Sequence, residues 1–317
     1  MALIYVGIDE AGYGPLLGPF CSAMTVWRVE GWREGDPAPD LWKMLARVVT
    51  PTLKGARGRI PLADSKAIKL ANSARQPLVH LERGVLACLL TGQGMPRDDA
   101  ELLERLGGSY GQYPWYGGGG LGLPLANTPE LLAIDANLLS GAMAEAGVSL
   151  VAARCCVVDE GRFNETVRRT NSKGEVALEA FAEHVRSLGA LGLGEAPVRI
   201  VGDRLGGRVS YGGFLSSVLG GEVRVLEETA RVSRYESGRV VVQFLPEAES
   251  HHLPVALASM TAKFVRELAM LRFNRYWCAR CVELKPTAGY RQDAGRWLRD
   301  VAGILTPDER RALTRLA

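Results

Sequence analysis

Leu3-Ile-Tyr-Val-Gly-Ile-Asp-Glu-Ala-Gly-Tyr-Gly-Pro-Leu-Leu-Gly-Pro19 decides the reading of this 317-residue chain. Its β-branched and aromatic run at Ile4, Tyr5, Val6 and Ile8 predicts a short buried strand that delivers two carboxylates, Asp9 and Glu10, to its C-terminal end. Successive strand side chains point to opposite faces, so the two acids converge only where the strand ends and the chain turns. Gly12, Gly14 and Pro15 supply that turn. Carboxylates held together without a basic neighbour in sequence repel each other, and a divalent cation relieves the repulsion. The plainer alternative is a strand-to-loop junction with both acids facing water.

A chain of this length buries a full core, as one large domain with insertions or as a domain with a small appendage. Lysine and arginine total 38 against 35 aspartates and glutamates, so net charge points to no nucleic-acid partner. Its distribution does: from Lys263 onward there are 12 basic side chains against 6 acidic, a footprint compatible with phosphate contacts. The N-terminus opens on a core strand and no apolar run approaches the roughly 20 residues of a membrane span, which predicts a soluble cytoplasmic protein with no membrane association. The six cysteines show no disulfide framework. Cys278-Ala-Arg-Cys281 lacks two further zinc ligands at matching spacing, and the four histidines form no spaced ligand set.

Downstream, residues 19–29 predict a second strand, and the tight Gly/Pro link makes it an antiparallel, hairpin-like partner of the first. Residues 31–59 read as an insertion with one amphipathic piece at 41–49. Asp64 or Ser65 is placed to N-cap a short helix. Residues 107–123, rich in Gly, Tyr and Trp, predict a mobile loop that stacks bases or, more plainly, covers the core. A helix over 128–146 leads to a strand over 148–158 that ends in a second acidic pair, Asp159-Glu160, a rival for the metal site. A helix over 175–188 precedes a strand over 198–203, which again ends in a carboxylate, Asp203, before a turn at 204–207. There follow a helix at 211–219, a strand at 222–226, a hairpin-like pair over 229–244 and a long helix over 254–277. On that helix Lys263 and Glu267 are four apart and share a face, which an ordinary ion pair also explains. Two short helices, 293–301 and 307–316, close the chain.

Together these residues carry a resemblance. Residues 7–19 look like the opening signature of the ribonuclease HII family, the type 2 ribonucleases H. Ala63-Asp-Ser-Lys66 resembles its second motif, Val201-Gly-Asp203 its third and Ala258-Ser-Met-Thr-Ala-Lys-Phe-Val-Arg-Glu267 its fourth. Ala288-Gly-Tyr-Arg-Gln-Asp293 with Trp297-Leu298 is similar to the segment that follows in archaeal and eukaryotic members. The motifs run in family order, and only the stretches near 30–60 and 90–135 fall outside them, as insertions. The resemblance implies an α/β fold of the ribonuclease H-like class, a mixed five-stranded sheet flanked by helices. It implies a catalytic domain over 1–278 and a helical C-terminal segment over 279–317. Carried over by position, Asp9, Glu10, Asp203 and Glu267 become the catalytic ligands of two Mg²⁺ or Mn²⁺ ions, with Asp9 bridging and Glu249 supporting them from behind. Two strand ends and a helix face, distant in sequence, can meet at one end of a sheet.

The implied activity is metal-dependent endonucleolytic hydrolysis of the RNA strand of RNA/DNA hybrids, or at ribonucleotides embedded in duplex DNA, by a monomer. Gly12, Tyr13 and Gly14 match the family's Gly-Arg-Gly turn, whose backbone contacts the ribose. Ser65 joins them on the substrate side. Tyr290 matches the tyrosine that stacks on the sugar at an RNA-to-DNA junction, and Lys66, Lys263 and Arg266 would face phosphates. The chain departs from the pattern at Tyr13, where arginine is usual, and at Glu267, where aspartate is. Two other classes fit parts of it. One is a nucleic-acid-binding protein of the same fold without turnover. The other is an actin-like or sugar-kinase-like phosphotransferase, since Asp9-x-x-Gly12-x-Gly14 also resembles a phosphate loop, though that leaves Asp64-Ser-Lys66 and the helix motif unexplained.

Overall fold

β1 (Leu3–Ala11) is buried along almost its whole length because it pairs on both edges. β2 (Phe20–Val29) returns antiparallel beside it, in unbroken register from Leu3 opposite Val29 to Ala11 opposite Cys21, as the short Gly/Pro link requires. The computed structural model describes residues 1–92, 94–205 and 208–316; Gly206 and Gly207 of the turn expected at 204–207 lie outside the described residues. β3 (Val49–Thr50) and β4 (Ile60–Pro61) form a small parallel pair of their own. The main sheet is completed by β5 (Val148–Val158), β6 (Val198–Asp203), β7 (Arg224–Glu228), β8 (Ser233–Ser237) and β9 (Val240–Leu245), in the order β5-β2-β1-β6-β9-β8-β7. β6 runs parallel to β1 and β9 parallel to β6, while the other pairings are antiparallel.

This is the expected mixed sheet flanked by helices, but it has seven strands where five were expected. The added two are β8 and β7, which pair outward from the edge of β9 that a five-stranded sheet would leave bare.

The helix Leu253–Arg280 crosses the sheet over β1 and β2. Its backbone reaches the strand at Gly7, where a Cβ would stand 2.1 Å from the carbonyl carbon of Pro254. Thr25 Oγ1 donates to the Pro254 carbonyl oxygen at 2.7 Å and fixes that approach. On the opposite face the helix Gly174–Ser187 packs Val176, Phe181 and Val185 against Val6, Met24 and Phe244. The helix Val79–Leu90, which sequence periodicity missed, packs Leu81, Val85 and Leu86 into the same core as Met260 and Phe264 of the long helix.

Within residues 107–123 two aromatic side chains cover the core, while Gly117 to Gly120 are exposed. Trp115 and Tyr116 are buried, and Tyr113 stacks on Trp115 with ring centroids 4.6 Å apart. Trp115, Phe273, Trp277 and Trp297 share one aromatic cluster with Leu17. The buried Arg272 guanidinium ties the cover down, donating to the Tyr116 carbonyl at 2.9 Å and to the Asp99 carboxylate at 2.7 Å. All six cysteines are free thiols. Among the described residues no helix is long and apolar enough to cross a membrane.

Candidate active site

Parallel strands present the same end to the same side of a sheet, and here three of them carry acids there. β1 ends in Asp9 and Glu10, and β6 in Asp203. β9 runs out at Leu245 into a single helical turn, Ala248–Ser250, which carries Glu249. All four line one cleft of about 260 Å³, together with Gly12, Tyr13, Gly14, Ser65, Lys66, Ser259, Lys263 and Tyr290.

Asp9 is 7% exposed, and its burial, then the charge of Glu10, hold its carboxyl well above the usual range. The adjacent Ser259 side chain pulls the other way. Glu10 is pushed up to about 7 by burial, then by Asp203 and Glu249, with Lys66 opposing. Asp203 and Glu249 are also raised, burial being the largest cause for each. Asp203 accepts from the backbone N–H of Arg204 at 2.7 Å and from those of Glu247 and Ala248, which fastens the turn that holds Glu249. The Glu249 side chain leaves Oε2 buried with no hydrogen-bond partner.

Burial and mutual repulsion oppose the ionisation of these acids, and they offer only oxygen donors. That is the chemistry a hard divalent cation fits. Among the described residues no three His, Cys, Asp or Glu side chains already stand in metal-holding geometry. The carboxylates therefore line the cleft without closing into a cage.

The remaining predicted residues divide. Asp64 caps the helix Ser65–Ile68 by accepting from the Lys66 N–H at 3.0 Å, and Ser259 Oγ donates to Ser65 Oγ at 3.1 Å. Lys66 is exposed at the rim; partial burial lowers its pKa, but Asp64, Glu249, Asp9 and Asp203 more than offset that and raise it. The Lys263 ammonium lies 5.9 Å from the centroid of the Tyr290 ring, and Tyr290 is 47% exposed, so it is not a core residue.

Two of the expected residues stand outside this cleft. Glu267 is absent from this cleft: it pairs with Lys263 at 2.6 Å and lines a separate groove with Asn72, Met270 and Asn274. It shares a helix face with Ser259, but eight residues further on, about 12 Å along the axis. Arg266 is turned inward. It is wholly buried between Gly12 and Gly289, with Nη2 donating to the Ala288 carbonyl at 3.1 Å.

The rival pair lies elsewhere. Asp159 caps the helix Glu160–Thr170, and Glu160 is buried with Oε1 accepting from the Tyr116 hydroxyl at 2.7 Å. Ser259 was not singled out in the sequence, although it stands four residues before Lys263 on the same helix face. That spacing is the signal that could have found it.

No protein-family model and no curated protein sequence matches the chain. Among solved structures, ribonuclease HII of Archaeoglobus fulgidus, in a complex with PCNA, is 13% identical with a TM-score of 0.46, covering 99% of this chain and 94% of that one. Ribonuclease H2 of Pyrococcus horikoshii is 18% identical with a TM-score of 0.43, covering 99% and 92%. Bst-RNase HIII in complex with Mn²⁺ is 17% identical with a TM-score of 0.40, and this chain spans 66% of its length. The chain is thus similar in its motifs to ribonuclease HII and in its path to solved ribonucleases HII and HIII.

Proposed function

We propose that this protein is a divalent-metal-dependent nuclease that hydrolyses phosphodiesters at ribonucleotides, within RNA/DNA hybrids or embedded in duplex DNA. The reading is carried by the arrival of four carboxylates from three parallel strand ends in one cleft, which is also lined by two lysines, an exposed tyrosine and a glycine turn. Asp9, Glu10, Asp203 and Glu249 are the ligand set. Glu249 takes the place that the motif carry-over gave to Glu267, because it is in the cleft and has an unpartnered oxygen. Asp9, between Glu10 and the Ser259 hydroxyl, is the shared ligand.

Bound Mg²⁺ or Mn²⁺ would supply an activated water and charge stabilisation for the leaving 3′-oxygen. The chain's own residues do the rest. Lys66 and Lys263 place positive charge where a phosphodiester must lie against four acids. Ser259 stands beside Asp9 in the cleft and is itself held by its bond to Ser65. Tyr290 offers a ring face to a sugar. The Gly12–Gly14 turn brings backbone groups to the ribose 2′-hydroxyl, the one group that separates RNA from DNA at a given site.

Incubation with duplex DNA carrying one embedded ribonucleotide, in Mg²⁺, in Mn²⁺ and in chelator, tests this. Cutting should occur at the ribonucleotide, only with metal, and the same duplex in all-DNA form should stay intact. Tight binding without cutting in either metal would replace the nuclease by a binding protein, and ATP hydrolysis instead would favour a phosphotransferase.

A further inference from the structure

The turn after β1 is fastened from beneath by Arg315, which is only 2% exposed. Its Nη1 donates to the carbonyl oxygen of Gly12 at 2.6 Å and, more weakly, to that of Gly18 at 3.5 Å; its Nη2 donates to that of Tyr13 at 3.0 Å. The backbone N–H of Arg315 donates to the Leu16 carbonyl at 2.9 Å, and its guanidinium lies 3.7 Å from the centroid of the Phe163 ring. Asn164 clamps the segment on both sides: Nδ2 donates to the Thr314 carbonyl at 2.8 Å, and Oδ1 accepts from the Leu316 N–H at 2.7 Å. A guanidinium taken this far out of water is costly unless its donors are used. Three bonds from its two Nη atoms, and a fourth from the Arg315 backbone N–H, go to one turn, while Nε has no partner among the described residues.

In a trans peptide the carbonyl and the following N–H point in opposite directions. Drawing the carbonyls of Gly12 and Tyr13 inward therefore turns the N–H groups of Tyr13 and Gly14 outward, on the side where this turn lines the cleft. Among the described residues neither amide donates to another backbone group.

We propose that Arg315 is a positioning residue for recognition of the ribose 2′-hydroxyl, fixing the peptide planes of residues 12–14 so that two adjacent N–H donors face the sugar. This rests on the nuclease reading above. Arg315 does not line the cleft, so its charge is not what the substrate meets. What matters is the planar fork that spans several carbonyls at once, which a lysine ammonium cannot reproduce.

The test compares wild type, Arg315→Met and Arg315→Lys on a duplex with one ribonucleotide and on the same duplex in all-DNA form. Binding is read by fluorescence anisotropy with Ca²⁺ in place of Mg²⁺, and cleavage by kcat and KM in Mg²⁺. Both variants should lose preference for the ribonucleotide, with kcat/KM reduced about 10- to 100-fold. The Mg²⁺-induced rise in thermal midpoint should be unchanged, because the four acids are untouched. Guanidinium at millimolar concentration, too dilute to unfold the protein, should restore part of the Arg315→Met loss and none of the Arg315→Lys loss. If Arg315→Met is too unstable to assay, Arg315→Lys decides by the same ratio. A wild-type preference that survives in the variants overturns the role of Arg315 alone, whereas a wild type without preference overturns the nuclease reading and this role with it.

Discussion

Burial and the charge of Glu10 oppose ionisation of Asp9, a cost that a bound cation would offset. Asp9→Asn should leave the thermal midpoint in chelator unchanged or higher, while cleavage falls on the order of 10³-fold or more. Near-normal cleavage would move the chemistry out of this cleft. Asp9, Glu10 and Asp203 were legible in the sequence because each ends an apolar, β-branched run. Glu249 stands out less in the sequence because it sits in a one-turn helix with no periodic signal, while the i,i+4 pattern draws attention to Glu267. Glu249→Gln should therefore shrink the midpoint rise on adding Mg²⁺, and Glu267→Gln should leave it intact; the reverse result would return the fourth ligand to Glu267. The pH dependence has a definite sign. Glu10, raised to about 7, keeps a proton in the folded metal-free chain that the unfolded chain has released, so its contribution to stability is present at low pH and is lost as pH rises toward 7. His184 and His252, pushed down to about 4 by burial, act in the opposite direction, so the metal-linked difference is the cleaner observable. Because a cation must displace carboxyl protons, the Mg²⁺-induced rise should be small at about pH 5.5 and grow through about 7. Melts with and without Mg²⁺ across that range check this, and a rise independent of pH would place the ions elsewhere.

Three parallel strand ends and one crossing helix set the spacing of the site, and Gly7 is where strand and helix touch. Gly7→Ala should destabilise the protein by about 1–3 kcal/mol or more through overpacking, since its Cβ has only backbone to meet. It should also depress cleavage below the unfolding range, because Asp9 lies on the strand and Ser259 on the helix that it pushes apart. Denaturant unfolding beside a cleavage assay separates the two effects, and a variant of unchanged stability would show that the helix can shift freely. The strands at 148–158 and 198–203 and the long helix were legible because their apolar runs are long and cleanly bounded. That β8 and β7 extend the same sheet was not, since pairing across an edge leaves no mark in local pattern. The helix Val79–Leu90 was missed for a related reason: much of it is buried, so little amphipathic contrast remains.

Across the whole molecule, the aromatic cover joins the middle of the chain to its C-terminal helices through Trp115, Trp277 and Trp297. Its role is mechanical. Trp115→Ala should cost about 3–5 kcal/mol of stability and leave the preference for ribonucleotides unchanged at temperatures well below the midpoint. A lost preference at full stability would make the cover part of the substrate surface. The long span between the pieces of the cleft has a consequence for how the protein comes into being. Its acids begin at residue 9, but the guanidinium that braces the adjoining turn is at residue 315, more than 300 residues later. Domains emerging from a ribosome fold as their parts become available, and contacts between distant segments form late. A chain cut before residue 315 therefore carries its first two carboxylates beside a turn that lacks its brace.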